Sequence, residues 1–302
     1  MKFNNIIYQN IQSHLNIEIA KPNLDAIYTT DWLNFDSPNF QSNINKTILT
    51  NDAISYLSHL SNYQLVEFLI GFHAINFQYW KANHPSGFSP YIHDGLSGFY
   101  ACLKSYLQFF KHTETSRLTR SITQIDFFTC FGEIPNSKDR FQFLIEVWKP
   151  EILDNVSQML EDDINKGCLC LDTAYKISKI IPSCFDDPFL RKSTSLLWDF
   201  HCIKNNKSIQ IDLPLIADHQ TAKILSMYNM IIYNDELKNK IINGNLIKAS
   251  SKEELAIRAC IVFVGEHIKK RKNLNSLELY QVMWQMRASK NEPFFLCVNQ
   301  NY

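Results

Sequence analysis

The chain has 302 residues, of which 45% are hydrophobic, so it is long enough to bury one large core or two closely packed ones. Its 30 lysines and arginines balance its 30 aspartates and glutamates. This zero net charge argues against a long nucleic acid or an anionic membrane as the partner. The composition therefore predicts a folded protein whose ligand is small.

The cysteines and the start of the chain indicate the compartment. Eight cysteines are scattered through apolar stretches, and the first residues, MKFNNIIYQN, do not resemble a signal segment. We therefore expect reduced thiols and a cytoplasmic protein. Cys168 and Cys170 stand close together, but a structural zinc site usually needs a second such pair, so no metal is predicted. No apolar run approaches the roughly twenty residues that cross a bilayer.

Apolar residues recur at spacings of three and four along most of the chain, which predicts a mainly α protein. The predicted helices, in chain order, are 52–79 with a break near Ser61, 96–110, 137–147, 150–164, 172–181, 188–203, 217–232, 235–242, 251–270 and 276–286. Segment 81–95, with two prolines and two glycines, is predicted to be a loop. Strand signals are weak and confined to 208–213 and 294–298.

The sequence shows no sign of a boundary between domains. No low-complexity linker and no internal repeat divides the chain. We therefore expect a single compact helical domain over residues 1–302, with two packed lobes at 1–165 and 166–302 and only minor β structure.

Two aspartates are the best candidates for chemistry, because Gly-rich phosphate loops and the common hydrolase and metalloprotease motifs are missing. Asp199 stands near the end of the apolar stretch STSLLWDF, and Asp218 follows the apolar run LPLIA at a predicted helix start. An ionised carboxylate in a shielded site can stabilise an oxocarbenium-like sugar or attack its anomeric carbon. Asp218 can equally be a helix N-cap, and the residue pattern alone leaves both roles open.

Five segments resemble, in order, segments of one known family. HAINFQYW (73–80) is similar to D-T-L-N-F-S-F-W, LSGFYACL (96–103) to S-G-Y-W-S-L, and FLRKSTSLLWDF (189–200) to F-Y-K-R-A-Q-I-L-V-A-D. LIADHQTAKIL (215–225) is similar to M-F-A-D-Y-R-x-P-Q-V-L, and EELAIRACIVFVGEHI (253–268) to E-V-E-I-R-G-C-S-x-W-x-V-E-x-I. Together they resemble the queuosine salvage protein family, the queuosine 5′-phosphate N-glycosylases.

The resemblance implies a mainly α fold, distantly like helix-hairpin-helix DNA glycosylases, and hydrolysis of queuosine 5′-monophosphate or a related modified nucleoside. The products would be free queuine, for salvage into tRNA, and ribose 5-phosphate, without a cofactor. Asp218 falls on the family's expected catalytic aspartate. The substrate-binding candidates that the resemblance supplies are Asp199, Ile216, His219, Asn76, Phe77, Trp80, Lys192 and Arg191. Among them, the aromatic rings can stack on a deazapurine, and the two cations can hold a 5′-phosphate.

Several departures from the family pattern predict a divergent member. Ile216 stands where the family has a phenylalanine suited to stacking, His219-Gln220 replaces Tyr-Arg, and His73 replaces an aspartate. Base or phosphate recognition is therefore expected to differ. Glu254 and Arg258, four residues apart on one helix, are expected to form a structural salt bridge.

Two other functions stay open at this point. A DNA-repair glycosylase would place Lys192 upstream of a catalytic aspartate, although the segment IIPSCFDDPF lacks the glycine of a phosphate-binding hairpin. A catalytically inactive protein that binds a nucleoside or another protein would keep the fold and lose turnover.

Overall fold

The computed structural model describes residues 4–29, 49–81, 89–114, 117, 121–206, 208–286 and 293–301, and helices make up most of them. In chain order the helices are α1 Asn4–His14, α2 Leu24–Thr29, α3 Asn51–Leu57, α4 Asn62–Ile75, α5 Gly98–His112, α6 Gln124–Phe131, α7 Ser137–Val147, α8 Pro150–Asn165, α9 Leu171–Ile180, α10 Pro182–Phe185, α11 Arg191–Lys204, α12 His219–Met227, α13 Asp235–Ile242, α14 Lys252–Lys272 and α15 Ser276–Met286.

Within the described ranges, the β structure consists of short two-stranded pairs. The antiparallel pairs are β1 (Ala20–Pro22) with β8 (Ile231–Tyr233), β2 (Trp80–Lys81) with β3 (Ser89–Pro90), and β4 (Ile92–His93) with β5 (Leu96–Ser97). The parallel pairs are β6 (Cys168–Cys170) with β7 (Gln210–Asp212), and β9 (Leu246–Ile247) with β10 (Leu296–Cys297). These pairs join distant parts of the chain without building a sheet.

Helix α4 is the centre of the first group of helices. From Leu65 to Ile75 every residue except Glu67 is buried, because α7, α8 and α11 pack around it. A helix that is apolar on all sides needs such neighbours to be stable in water. Ser61 begins α4 with a capping box, in which its side chain and that of Gln64 each accept the other's backbone N–H. This confirms the predicted break near Ser61.

Helix α14 is the centre of the second group, and α1, α2, α12 and α15 pack against it. Gly265 of α14 lies so close to Leu215 that an added Cβ would be 2.7 Å from the Leu215 Cβ. The segment that leads to Asp218 therefore packs directly on the helix backbone. Buried apolar residues from both groups form one continuous core, which confirms the prediction of a mainly α, single-domain protein.

The structure matches several predicted helices and corrects others. The bounds of α7, α13 and α15 are the predicted ones. The helix predicted over 217–232 is wrong beyond Met227, because Ile231 and Ile232 form β8 against β1. Helix α11 begins at Arg191 and not at 188, because the Asp187 carboxylate holds a turn by accepting the backbone N–H groups of Phe189 and Arg191.

Two further predictions concern the loop at 81–95 and helices that could cross a membrane. The predicted loop 81–95 contains β3 and β4, and its residues 82–88 lie outside the described ones. None of the described helices is both long enough and apolar enough to span a bilayer.

Candidate active site

A cavity of about 360 Å³ lies between the two groups of helices. Its walls come from the end of α4, strands β2, β3 and β5, the start of α5, one face of α11, the segment around Asp218, α15 and Phe294. Of the predicted site residues, the cavity brings together Asn76, Trp80, Arg191, Asp199, Ile216, Asp218 and His219. Residues almost 150 positions apart in sequence therefore face one another.

Asp218 is the N-cap of α12 and lines the cavity at the same time. One oxygen, Oδ1, accepts the backbone N–H of Thr221 at 2.8 Å, and the other, Oδ2, accepts the hydroxyl of Tyr280 at 3.2 Å. Burial, with the nearby negative charge of Asp218, raises the pKa of Tyr280 well above its ordinary value, so the phenol stays a donor. Two donors and the N-terminus of α12 therefore hold the Asp218 side chain in one orientation at the cavity wall.

The main chain before Asp218 is fixed by packing and by hydrogen bonding. Residues from Leu213 to Ala217 are buried, as the apolar run in the sequence predicts. Gly265 provides room for Leu215, and the Arg258 Nε donates to the Ala217 carbonyl at 3.1 Å. The carboxylate is therefore presented by a rigid segment.

Asp199 forms a buried pair with His73. The His73 Nε2 lies 3.0 Å from Asp199 Oδ2, and neither side chain is appreciably exposed. Burial lowers the pKa of His73, and Asp199 opposes this shift only in part. A neutral imidazole with its proton on Nε2 donates to the carboxylate in this geometry. The aspartate that the family has at position 73 is thus replaced by a hydrogen-bond donor.

Arg191 provides positive charge at the cavity wall. Its Nη1 donates to the Asn76 carbonyl at 2.7 Å, and the Asn76 side chain accepts the Tyr79 hydroxyl at 2.7 Å. This chain of contacts fixes the guanidinium between α4 and α11. Nε of the same guanidinium and the Trp198 Nε1 are buried donors without a hydrogen-bond partner among the described residues. Such donors are uncommon in folded proteins and are often explained by a ligand or water.

Aromatic rings form much of the cavity wall: Trp80, Phe99, Tyr100, Trp198, Trp284 and Phe294. Phe99 and Trp284 meet edge to face with centroids 5.5 Å apart, and Trp198 lies 5.3 Å from Tyr280. His219 lies 5.1 Å from the Phe294 ring, and burial lowers its pKa, so its imidazole is neutral. A wall of this kind suits a flat heteroaromatic ligand.

Two predicted binding residues, Lys192 and Phe77, do not line the cavity. The Lys192 Nζ donates to the Ala74 carbonyl at 2.8 Å and lies 4.9 Å from the centre of the Phe77 ring. Burial lowers the pKa of Lys192 to about 7. Lys192 misses the cavity because of helical periodicity. Arg191, Ser195 and Asp199 are four residues apart and share the face of α11 that lines the cavity, whereas Lys192, which follows Arg191, lies on another face. Phe77 instead packs under the Arg140 guanidinium, 4.1 Å away.

Sequence reasoning missed several residues that the cavity includes. Tyr280, the hydroxyl donor to Asp218, stands four residues before Trp284 on α15, and this spacing could have indicated a shared face. Trp198 directly precedes Asp199, and Ser195 lies one turn before it. Among the described residues, no group of three or more His, Cys, Asp or Glu side chains is placed to hold a metal ion.

A comparison with protein families gives a match to the model described as queuosine salvage protein, over residues 199–294. The matched segment begins at Asp199, contains Asp218 and Tyr280, and ends at Phe294, all of which line the cavity. The match supports the resemblance seen in the sequence. A comparison with curated proteins gives no match.

Proposed function

We propose that this chain, which resembles the queuosine salvage family over residues 199–294, is an N-glycosidase that hydrolyses queuosine 5′-monophosphate or a related modified nucleoside to the free base and the sugar. The observation that carries the proposal is the position of Asp218. It is 3% exposed, held by two donors, and lies at the wall of an aromatic cavity of about 360 Å³. Small-molecule sites typically measure roughly 300 to 1,000 Å³.

The proposed reaction breaks the bond between the anomeric carbon and the ring nitrogen of the base. Water supplies the oxygen that bonds to the anomeric carbon, and the departing base takes up a proton. The Asp218 carboxylate stabilises the positive charge that develops on the sugar, and it acts most strongly where water is excluded. A deazapurine lacks a ring nitrogen that ordinary purines protonate before departure, so positioned donors and activation of the sugar matter more.

The remaining wall residues divide into base and phosphate contacts under this proposal. Trp80 and the rings of α15 stack on the base. Asp199, which His73 holds in place, accepts hydrogen bonds from the donor groups of the base. Arg191 holds a 5′-phosphate, because a guanidinium matches phosphate oxygens in two parallel hydrogen bonds. His219 is a neutral donor close to Asp218.

The two alternatives differ from this proposal in measurable ways. A DNA-repair enzyme has to bind a long polyanion, whereas this chain has zero net charge and a cavity of about 360 Å³, which suits a small molecule. An inactive binding protein would hold the nucleoside without releasing its base. The departures at Ile216, His219 and His73 keep this second alternative relevant.

The test is release of free base by the purified protein. Queuosine, queuosine 5′-monophosphate, ordinary purine nucleotides and a modified-base DNA duplex are incubated separately, and free base is measured by mass spectrometry. We expect release from a queuosine compound by the wild type and none above background by Asp218→Asn. Binding without release, measured by calorimetry, would show an inactive binding protein. Release only from DNA would show a repair enzyme, and either result overturns the proposal.

A further inference from the structure

Arg258, on helix α14, is buried and binds partners on three sides. Its Nη2 lies 2.6 Å from Asp187 Oδ2, its Nη1 lies 3.2 Å from Glu254 Oε1, and its Nε donates to the Ala217 carbonyl at 3.1 Å. The guanidinium also lies 4.8 Å from the centre of the Phe189 ring. The predicted pair with Glu254 is thus present, and the guanidinium has other polar partners as well.

Two of these contacts lead directly to the cavity. The Ala217 carbonyl belongs to the peptide bond that joins Ala217 to Asp218, so the Nε contact fixes the main chain at the carboxylate. The Asp187 Oδ2 that binds Arg258 also accepts the backbone N–H of Arg191 at 2.8 Å. The Arg258 guanidinium therefore contacts the main chain next to Asp218 directly, and it contacts the main chain of Arg191 through the Asp187 carboxylate.

The third contact, with Glu254, holds the Arg258 side chain against its own helix. Glu254 lies on the same helix, one turn earlier, and accepts the backbone N–H of Ser250 at 3.2 Å and the Asn299 side chain at 3.3 Å. The guanidinium, Glu254 and Asp187 side chains are all about 1% exposed. A buried ionic cluster is often no better for stability than a well-packed apolar one, so geometric specificity is the more informative explanation of its presence.

We propose that Arg258 is a positioning residue, which sets the geometry of Asp218 through the Ala217 carbonyl and that of Arg191 through Asp187. This inference rests on the proposed function, because it assigns Arg258 a part in the same reaction. Lysine cannot reproduce the role, since a single ammonium lacks the fork that reaches Asp187, Glu254 and Ala217 together. A small displacement of a catalytic group costs about 100-fold in rate.

The test compares Arg258→Lys with Arg117→Lys. Arg117 is a matched control: its Nε also binds a carboxylate, that of Glu67, at 3.0 Å, its side chain is also well buried, and it does not line the cavity. With the best nucleoside substrate, we expect Arg258→Lys to lower kcat about 100-fold with KM changed less than threefold, and Arg117→Lys to leave both near the wild-type values. Equal kcat values for the two variants would overturn the inference.

A second readout does not need activity. The Thr221 amide is protected by Asp218 Oδ1, so its hydrogen exchange, followed by mass spectrometry, reports whether the carboxylate stays in place. We expect faster exchange at Thr221 in Arg258→Lys and unchanged exchange in helix α8, with neither change in Arg117→Lys. Unchanged exchange at Thr221 in Arg258→Lys would overturn the inference, whether or not the wild type is active. Inactivity of the wild type on every nucleoside would by itself refute only the proposed function.

A milder variant covers the case in which Arg258→Lys does not fold. Asp187→Asn keeps the shape of the contact and removes the charge that orients the guanidinium. We expect the same pattern, with a kcat loss of about 10-fold and faster exchange at Thr221. Wild-type kcat together with wild-type exchange in this variant would show that the cluster does not position the site.

Discussion

Substitutions at Asp218 separate its two roles, because asparagine preserves one and removes the other. Asparagine is as good an N-cap as aspartate, so its side-chain oxygen can still accept the Thr221 N–H that Asp218 now accepts at 2.8 Å. We expect the free energy of unfolding of Asp218→Asn to stay within about 0.5 kcal/mol of the wild type. Asp218→Ala loses the cap and also leaves the buried Tyr280 hydroxyl without this acceptor, which costs about 2 to 3 kcal/mol.

Activity should respond differently from stability. Both variants lack the negative charge that opposes the developing charge on the sugar, and loss of one such group lowers kcat by about 100- to 1,000-fold or more. The control is Asn234→Ala, which removes the N-cap of α13, where the side chain accepts the Leu237 N–H at 2.8 Å. It should cost about 1 kcal/mol of unfolding free energy and leave kcat unchanged.

The measurements are urea denaturation and release of free base, made on the same preparations. Near-wild-type turnover in Asp218→Asn would refute the catalytic role and leave Asp218 as a cap alone. A stability loss in Asp218→Asn as large as that in Asp218→Ala would refute the account of the cap. A fall in kcat in Asn234→Ala would show that the assay reports general destabilisation.

Three further predictions concern the surroundings of the site. Gly265→Ala places a Cβ 2.7 Å from the Leu215 Cβ, so urea denaturation should show a loss of about 1 to 3 kcal/mol together with a reduced kcat; unchanged values would mean that Leu215 moves freely. Lys192 has a folded-state pKa of about 7 against an ordinary 10.5, so the unfolded state binds more protons between these values. The stability of the wild type relative to Lys192→Met should therefore rise with pH from about 7 to 10, and a flat difference would contradict the lowered pKa. Arg191→Gln should slow hydrolysis of the 5′-monophosphate about 10-fold more than that of the nucleoside, and equal slowing would remove the phosphate role.

The sequence predicts those parts of the fold that local signals determine. Helices α4 and α14 begin where the sequence predicts, after the break near Ser61 and at the start of the segment 251–270, and Ser61 and Ser251 cap them by accepting the Gln64 and Glu254 N–H groups. The β1 and β8 strands could not be predicted in this way, since Ala20 pairs with Tyr233 more than 200 residues away. Ile231 and Ile232 continue an apolar periodic pattern, and only their partner strand decides that they are extended.

The site was predictable where the chemistry of a residue depends on its local position. Asp218 follows an apolar run and begins a helix, and both features place a carboxylate at a buried helix N-terminus. Orientation around a buried helix is different, because α11 is buried on nearly every side and its sequence does not mark the face toward the cavity. Arg191 and Lys192 were therefore equivalent as candidates, and only packing against α4 separates them.

Capping and catalysis are not competing roles for Asp218. The hydrogen bond that satisfies the Thr221 N–H also fixes the carboxylate, and the helix dipole that a cap neutralises favours the same negative charge that the proposed reaction needs. Tyr280 completes the arrangement from α15, and Arg258 holds the preceding carbonyl from α14. The carboxylate is thus fixed by three helices before a substrate arrives, and this is the condition under which a charged group lowers an activation barrier without first having to reorganise.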